Sequence, residues 1–164
     1  ALAAGMEADE AELLLNASPM HDVGKIGIPD AILMKPGKLD PEEWEIMKTH
    51  AAIGGEILSG SESRLMEAAR IVAMTHHENM DGSGYPNGLT GEDIPLFGRI
   101  TAICDVFDAL VSERPYKKAW STDEAISHMR DMAGSKFDAR LLDLFIGILD
   151  EIMEIHDNWS DAST

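Results

Sequence analysis

The sequence predicts an all-α protein, a bundle of helices forming one domain. Three observations point there. Apolar residues recur at +3 and +4 intervals along most of the 164-residue chain, the spacing that lines one face of a helix. Two segments open with capping signals, Asp40-Pro41 with Glu43 and Ser121 with Glu124, in which side chains satisfy the free N–H groups of a first helical turn. Alternating apolar and polar runs, the mark of half-buried strands, are nearly absent.

The elements follow in order. Ala1 to Ala4 read as the end of an element stopped by Gly5. The abrupt start at Ala1 implies a longer parent chain. A helix begins near Ala8 with Leu13, Leu14, Ala17 and His21 on one side, and Pro19 tightens its end. Residues 24–40 read as a loop punctuated by Gly24, Gly27, Pro29, Pro36 and Gly37. The helix capped by Asp40 carries an inward stripe of Ile46, His50, Ile53 and Ile57. The next, over about 62–77, repeats that spacing with Leu65, Ala69, Val72 and His76. A turn-rich loop covers 78–97. A helix with Ile100, Ile103, Phe107 and Leu110 then runs to Pro115. The helix opened by Ser121 closes at Gly134, and a last one spans about 138–156.

Composition sets outer limits. Apolar residues form 45% and charged residues 26% of the chain, the balance of a packed domain rather than a disordered or fibrous one. No apolar stretch reaches the roughly 18 residues of a membrane span, and Ala1 to Glu10 lacks the basic and apolar regions of a secretory leader. The single cysteine, Cys104, forms no internal disulfide and reads as a buried small residue of an apolar stripe. The expected location is cytoplasmic. Thirty acids against 13 bases give a net charge of −17. Such a surface repels nucleic-acid polymers and anionic membranes. A small anionic ligand still fits if metal ions or local bases supply positive charge.

Chemistry concentrates in a few residues. Of six histidines, four occupy unusual places: His21 beside Asp22, His50 within an apolar stripe, and the pair His76-His77. Asp105 interrupts another apolar helix. From Asp22 to His50, His77 and Asp105 the steps are 28, 27 and 28 residues, each about one helix plus one loop, so neighbouring helices can bring these groups to one height in the core. Each has a plain alternative alone: a hydrogen-bonded core histidine, a histidine pair at a helix end, an aspartate paired with a buried base. Together, four imidazoles and two carboxylates in an apolar bundle predict divalent metal binding, because buried ionised groups are costly unless paired or ligating. Asp22, with two oxygens, is the candidate bridge. His128 and His156 belong to no cluster and read as surface residues.

His21-Asp22-x-Gly24-Lys25, with His77-Glu78 and the Asp81-Gly82-x-Gly84-Tyr85-Pro86 loop, resembles the HD-GYP family of cyclic dinucleotide phosphodiesterases. The resemblance continues through Ile26-Gly27-Ile28-Pro29-Asp30, Lys35-Pro36-Gly37-Lys38-Leu39, Asp105-Val106-Phe107-Asp108-Ala109-Leu110, Arg114-Pro115-Tyr116-Lys117 and Gly134-x-x-Phe137-Asp138, covering most of residues 5–145. It implies a single HD-domain helical bundle over residues 1–164, lacking its first helix and any upstream sensory or receiver domain, with a central metal site and a long loop bearing Gly84-Tyr85-Pro86. It further implies metal ligands His21, Asp22, His50, His76, His77 and Asp105, with Asp22 bridging two ions, iron or manganese. Trinuclear members draw further ligands from a helix preceding Leu2, so two ions rather than three are expected here.

The implied reaction is hydrolysis of cyclic di-GMP to pGpG, GMP or both, in second-messenger signalling. Asp22 and Lys25 carry catalysis in that reading. Lys25, Tyr85, Arg114 and Lys117 would contact the substrate, and the loop could also meet protein partners or a second copy in a homodimer. The alternatives are a hydrolase of another cyclic dinucleotide and a non-catalytic signalling module. A complete set of costly buried ligands argues against the second. A purely structural metalloprotein would need no Lys25, Arg114 or Lys117.

Overall fold

Gly5 turns the chain with φ 83° after a 3-10 turn at Leu2–Ala4, and helix α1 (Ala8–Ala17) follows. The computed structural model describes residues 1–113 and 118–160, the last five by backbone alone. The remaining helices are α2 (Asp30–Leu33), α3 (Pro41–Lys48), α4 (His50–Ile57), α5 (Arg64–Thr75), α6 (Leu96–Val111), α7 (Thr122–Asp131), α8 (Ala139–Gly147) and α9 (Leu149–Ser160). Among the described residues no strand forms; two isolated bridges, Asp81 with Thr90 and Ala133 with Phe137, pin loops. The all-α expectation holds. No described helix is long and apolar enough to cross a membrane.

The caps are where the sequence puts them. Asp40 accepts from Glu43 N at 2.9 Å while the Glu43 carboxylate accepts from Asp40 N at 2.8 Å. Ser121 and Glu124 make the same reciprocal pair. Asp138 caps α8 and also receives Arg99 Nη1 at 2.8 Å, tying α6 to that cap. Most of this ion pair is shielded from water.

Two apolar cores flank α6. Ile103, Phe107, Leu110, Met129, Phe137, Leu142 and Phe145 join α6 to α7 and α8. Met6, Leu14, Ala17, Leu58 and the Ala68, Ala69, Val72, Ala73 run of α5 form the other. The small side chains of α5 let α1, α4 and α6 approach it closely. Its C-terminal end therefore lies amid several elements, and the histidine pair follows it.

Four expectations need correction. Residues 24–40 are not a plain loop: a 3-10 turn at Val23–Gly27 and the short α2 lie there, because Gly and Pro every few residues permit single helical turns. The helix over 41–57 is two. Thr49 returns both its N–H (3.0 Å) and its Oγ1 hydroxyl (2.7 Å) to Ile46 O, tightening the turn and restarting the helix at His50. Ile46 and Ile57 consequently lie exposed, while His50 is buried. The last helix breaks at Ile148, whose φ of −115° and ψ of 21° leave the helical region. Cys104 is exposed. It lies in an open apolar cleft of about 590 Å³ that Phe107, Phe145 and Ile152 also line. His128 is exposed as expected, while the side chain of His156 lies outside the described residues.

Candidate metal centre

Each histidine of the cluster is aimed by its own backbone. His21 follows the Pro19-containing 3-10 turn at Ser18–Met20 and donates Nδ1–H to Ser18 O at 2.8 Å. His50 donates Nδ1–H to Met47 O at 2.7 Å. His76, at the end of α5, donates to Val72 O at 3.0 Å and Ala73 O at 3.1 Å. With Nδ1 held as a donor, Nε2 of all three points inward, the nitrogen that a metal takes once it carries no proton.

Asp22 stands where these nitrogens converge. Its Oδ1 lies 3.3 Å from His50 Nε2 and 3.8 Å from His76 Nε2. Its Oδ2 faces His21 Nε2 at 3.4 Å and takes a close contact from Lys25 Nζ. Asp105, on α6, places Oδ1 3.6 Å from the same His21 nitrogen. His77 completes the group, its ring 3.9 Å from that of His76 and 5.0 Å from that of His50. Ligand atoms of Asp22, His50, His76 and His77 all lie within 4.8 Å of one another. One carboxylate thus divides its oxygens between two sets of donors.

The donor set fits divalent ions on a direct test. Asp22 Oδ1, His50 Nε2 and His76 Nε2 are buried without any hydrogen-bond partner in the protein, and all three face one another. Buried polar atoms are otherwise nearly always paired. Imidazole and carboxylate donors suit zinc, iron or manganese.

Electrostatics in the metal-free chain follow from the same geometry. Hydrogen bonds to Asp105 and Asp22 raise His21 to about 10. Burial pushes the Asp22 and Asp105 carboxyls up, but the hydrogen bonds from His21, and for Asp22 also from Lys25, outweigh it and hold both below the usual range. Burial, with the charge of His21, lowers His76 to about 4. Burial, with His76 and His50 beside it, lowers His77 to about 3. Burial and the two carboxylates push the Tyr85 phenol up. At neutral pH one imidazolium sits between two carboxylates, next to neutral His76 and His77.

Gly24 allows this assembly. A Cβ built on it would lie 2.0 Å from His50 O and 2.4 Å from Gly54 N, so the Val23–Gly27 turn rests directly on the backbone of α4. Beyond His77, the loop is organised by Glu78, whose role sequence reasoning missed. Its buried carboxylate accepts from Asn87 N at 2.7 Å and Leu89 N at 2.9 Å. Tyr85 N donates to His77 O at 3.1 Å, and the Tyr85–Pro86 peptide is cis. An acid between a helix end and a glycine-rich loop was the available signal. Tyr85 packs its ring 4.7 Å from His77. Lys25 is 41% exposed, so its ammonium reaches water at the mouth of the cluster. Arg114 and Lys117 lie outside the described residues.

The comparisons agree with this picture. The family profile described as "HD domain" matches residues 1–141. A 3′3′-cGAMP-specific phosphodiesterase 2 of Vibrio cholerae is 50% identical over 157 residues, covering 96% of this chain and 30% of that protein. The cyclic di-GMP phosphodiesterase response regulator RpfG of Xanthomonas campestris is 46% identical over 159 residues, covering 97% and 42%. The chain therefore spans less than half the length of these relatives. A crystal structure of a cyclic GMP-AMP specific phosphodiesterase of V. cholerae (V-cGAP3) shares the fold, with a TM-score of 0.62 over 88% of this chain and 39% of that one, at 20% identity. With its His21-Asp22 pair and histidine-rich bundle core, the chain belongs to the HD-domain family, as an HD-GYP member.

Proposed function

We propose that this chain is a metal-dependent phosphodiesterase that opens a cyclic dinucleotide, with cyclic di-GMP as the leading substrate. The division of Asp22 between two donor groups carries the reading. Oδ1 with His50, His76 and His77 would hold one divalent ion, and Oδ2 with His21 and Asp105 a second; iron and manganese both suit this nitrogen and oxygen set. Bound ions of this kind supply a nucleophile from water at neutral pH and offset charge on the phosphoryl group.

The chain's own groups do the rest. Nδ1–H bonds to Ser18, Met47, Val72 and Ala73 carbonyls keep three imidazoles oriented, so no reorganisation is needed during reaction. The Lys25 ammonium, beside Asp22 at the water-facing mouth, is placed to neutralise a phosphate oxygen; Arg114 and Lys117 are assigned the same task by their place in the motif. Tyr85 closes the cluster on the His77 side and would border the substrate. The acidic surface is then no obstacle, because a small dianion meets only this local positive charge.

The 50% identity to a protein named for 3′3′-cGAMP supports a second substrate of the same class. Product chromatography decides. The chain, loaded anaerobically with ferrous iron or manganese, is incubated with each cyclic dinucleotide beside an Asp22→Ala control. Linear dinucleotide or mononucleotide in the wild type alone supports the proposal. A sample carrying two metals per chain that turns over neither substrate overturns it in favour of a binding role.

A further inference from the structure

We infer that Trp44 on α3 is a stacking platform for a purine base of the substrate, a subsite built onto the metal cluster through Tyr85; this rests on the cyclic dinucleotide reading above. The observations are a chain of rings. His77, a member of the cluster, lies 4.7 Å from the Tyr85 ring, and Tyr85 lies 6.4 Å from Trp44 with the planes at 84°. The His50 ring also faces Tyr85, at 6.2 Å. Trp44 nevertheless keeps 47% of its surface open. A large indole held by an edge contact, with half its area in water, is available to a π-faced ligand.

Trp44 is not placed independently of the chemistry. One turn along α3, Lys48 sets its ammonium 5.9 Å from the Tyr85 centroid, as residues four apart share a helix face. The same turn supplies the Met47 carbonyl that orients His50. Helix α3 thus fixes a metal-ligand tautomer through Met47 O, offers an aromatic surface three residues before it and, one residue after it, a cation that also pairs with Glu45. A ligand whose phosphodiester reaches the histidine cluster carries bases that extend from it by several ångströms, and Trp44 lies in the continuation of the ring series. Base–aromatic stacking is tolerant of base identity, so this subsite serves guanine and adenine alike; discrimination between cyclic di-GMP and a mixed dinucleotide must lie elsewhere.

The test measures kcat and KM for cyclic di-GMP and 3′3′-cGAMP with the manganese-loaded chain and with Trp44→Phe, Trp44→Leu and Trp44→Ala. Metal content and helicity by circular dichroism report whether each variant folds. We expect Trp44→Leu and Trp44→Ala to raise KM about tenfold for both substrates with kcat within about twofold, the signature of lost binding common to ground and transition states. Trp44→Phe, which retains a π-face, should restore most of the affinity. Leucine restoring affinity as well as phenylalanine would show a packing role and overturn the proposal. So would unchanged KM in folded Trp44→Leu while the wild type turns over, which leaves the phosphodiesterase reading intact. A metal-loaded wild type that turns over neither dinucleotide overturns both.

Discussion

Gly24→Ala should damage this protein more than its chemistry suggests, because one methyl group must enter where backbone already stands. The added Cβ would lie 2.0 Å from His50 O, 2.4 Å from Gly54 N and 2.9 Å from Gly54 Cα. Ordinary contact begins near 3.4 Å, so the Val23–Gly27 turn and α4 must part by about 1.4 Å along the shortest line. None of the three atoms is the free end of a flexible side chain. Overpacking of this kind costs about 1–3 kcal/mol, which lowers Tm by roughly 2–12 °C in a domain of this size. The shift also acts between Asp22 and His50, which now meet at 3.3 Å. A misplacement of about 1 Å can cost about 100-fold in rate, so kcat/KM should fall at least tenfold and one ion per chain should be lost. Gly147→Ala is the internal control. Gly147 has nothing within 4 Å of its would-be Cβ, and alanine should leave Tm unchanged or raise it slightly. Calorimetry and metal analysis of both variants are the assay. Unfolding of Gly24→Ala within about 1 °C of wild type, with two ions bound, would refute the close-packing argument.

Three further outcomes follow from the described geometry. The metal-free chain should be most stable near pH 6.5. His21 is raised to about 10, so its contribution is complete below its ordinary pKa of about 6.5 and fades as pH climbs toward 10. His76 and His77, lowered to about 4 and 3, contribute above about 6.5 and lose that contribution as pH falls toward 4 and below; urea titrations across pH 4–10 read both limbs, and a flat profile counts against them. Metal binding at pH 7.5 should release about one proton, from His21, measurable as a dependence of calorimetric heat on buffer ionisation enthalpy; no such dependence would mean that His21 binds no ion. Glu78→Gln should cost about 2 kcal/mol by weakening two hydrogen bonds to a buried carboxylate, and should speed amide exchange at Asn87 and Leu89, whose protection would otherwise be unchanged.

Much of this was legible in the sequence for identifiable reasons. Caps at Asp40 and Ser121 are local, each decided within four residues, and their side chains make the expected bonds. The histidines and aspartates stand out because such groups are costly inside apolar helices. What the periodicity missed is of another kind. The break at Thr49 arises from a side-chain hydroxyl competing for a carbonyl, which does not disturb apolar spacing, and it exposes Ile46 and Ile57 that the stripe would bury. Cys104 shares the helix α6 with buried Ile103 and Phe107, but its exposure depends on how α1 and α9 spread around it. Glu78 and Trp44 act through partners nine or more residues away, and no spacing rule links them.

Electron paramagnetic resonance of the manganese-loaded chain tests the central claim most directly, because a carboxylate shared by two ions couples their spins. Wild type should give the spectrum of an exchange-coupled pair, and Asp22→Ala only isolated ions. A wild-type spectrum of isolated ions at full loading, or a coupled pair that survives Asp22→Ala, would contradict the assignment of Asp22 as the group that joins the two halves of the site.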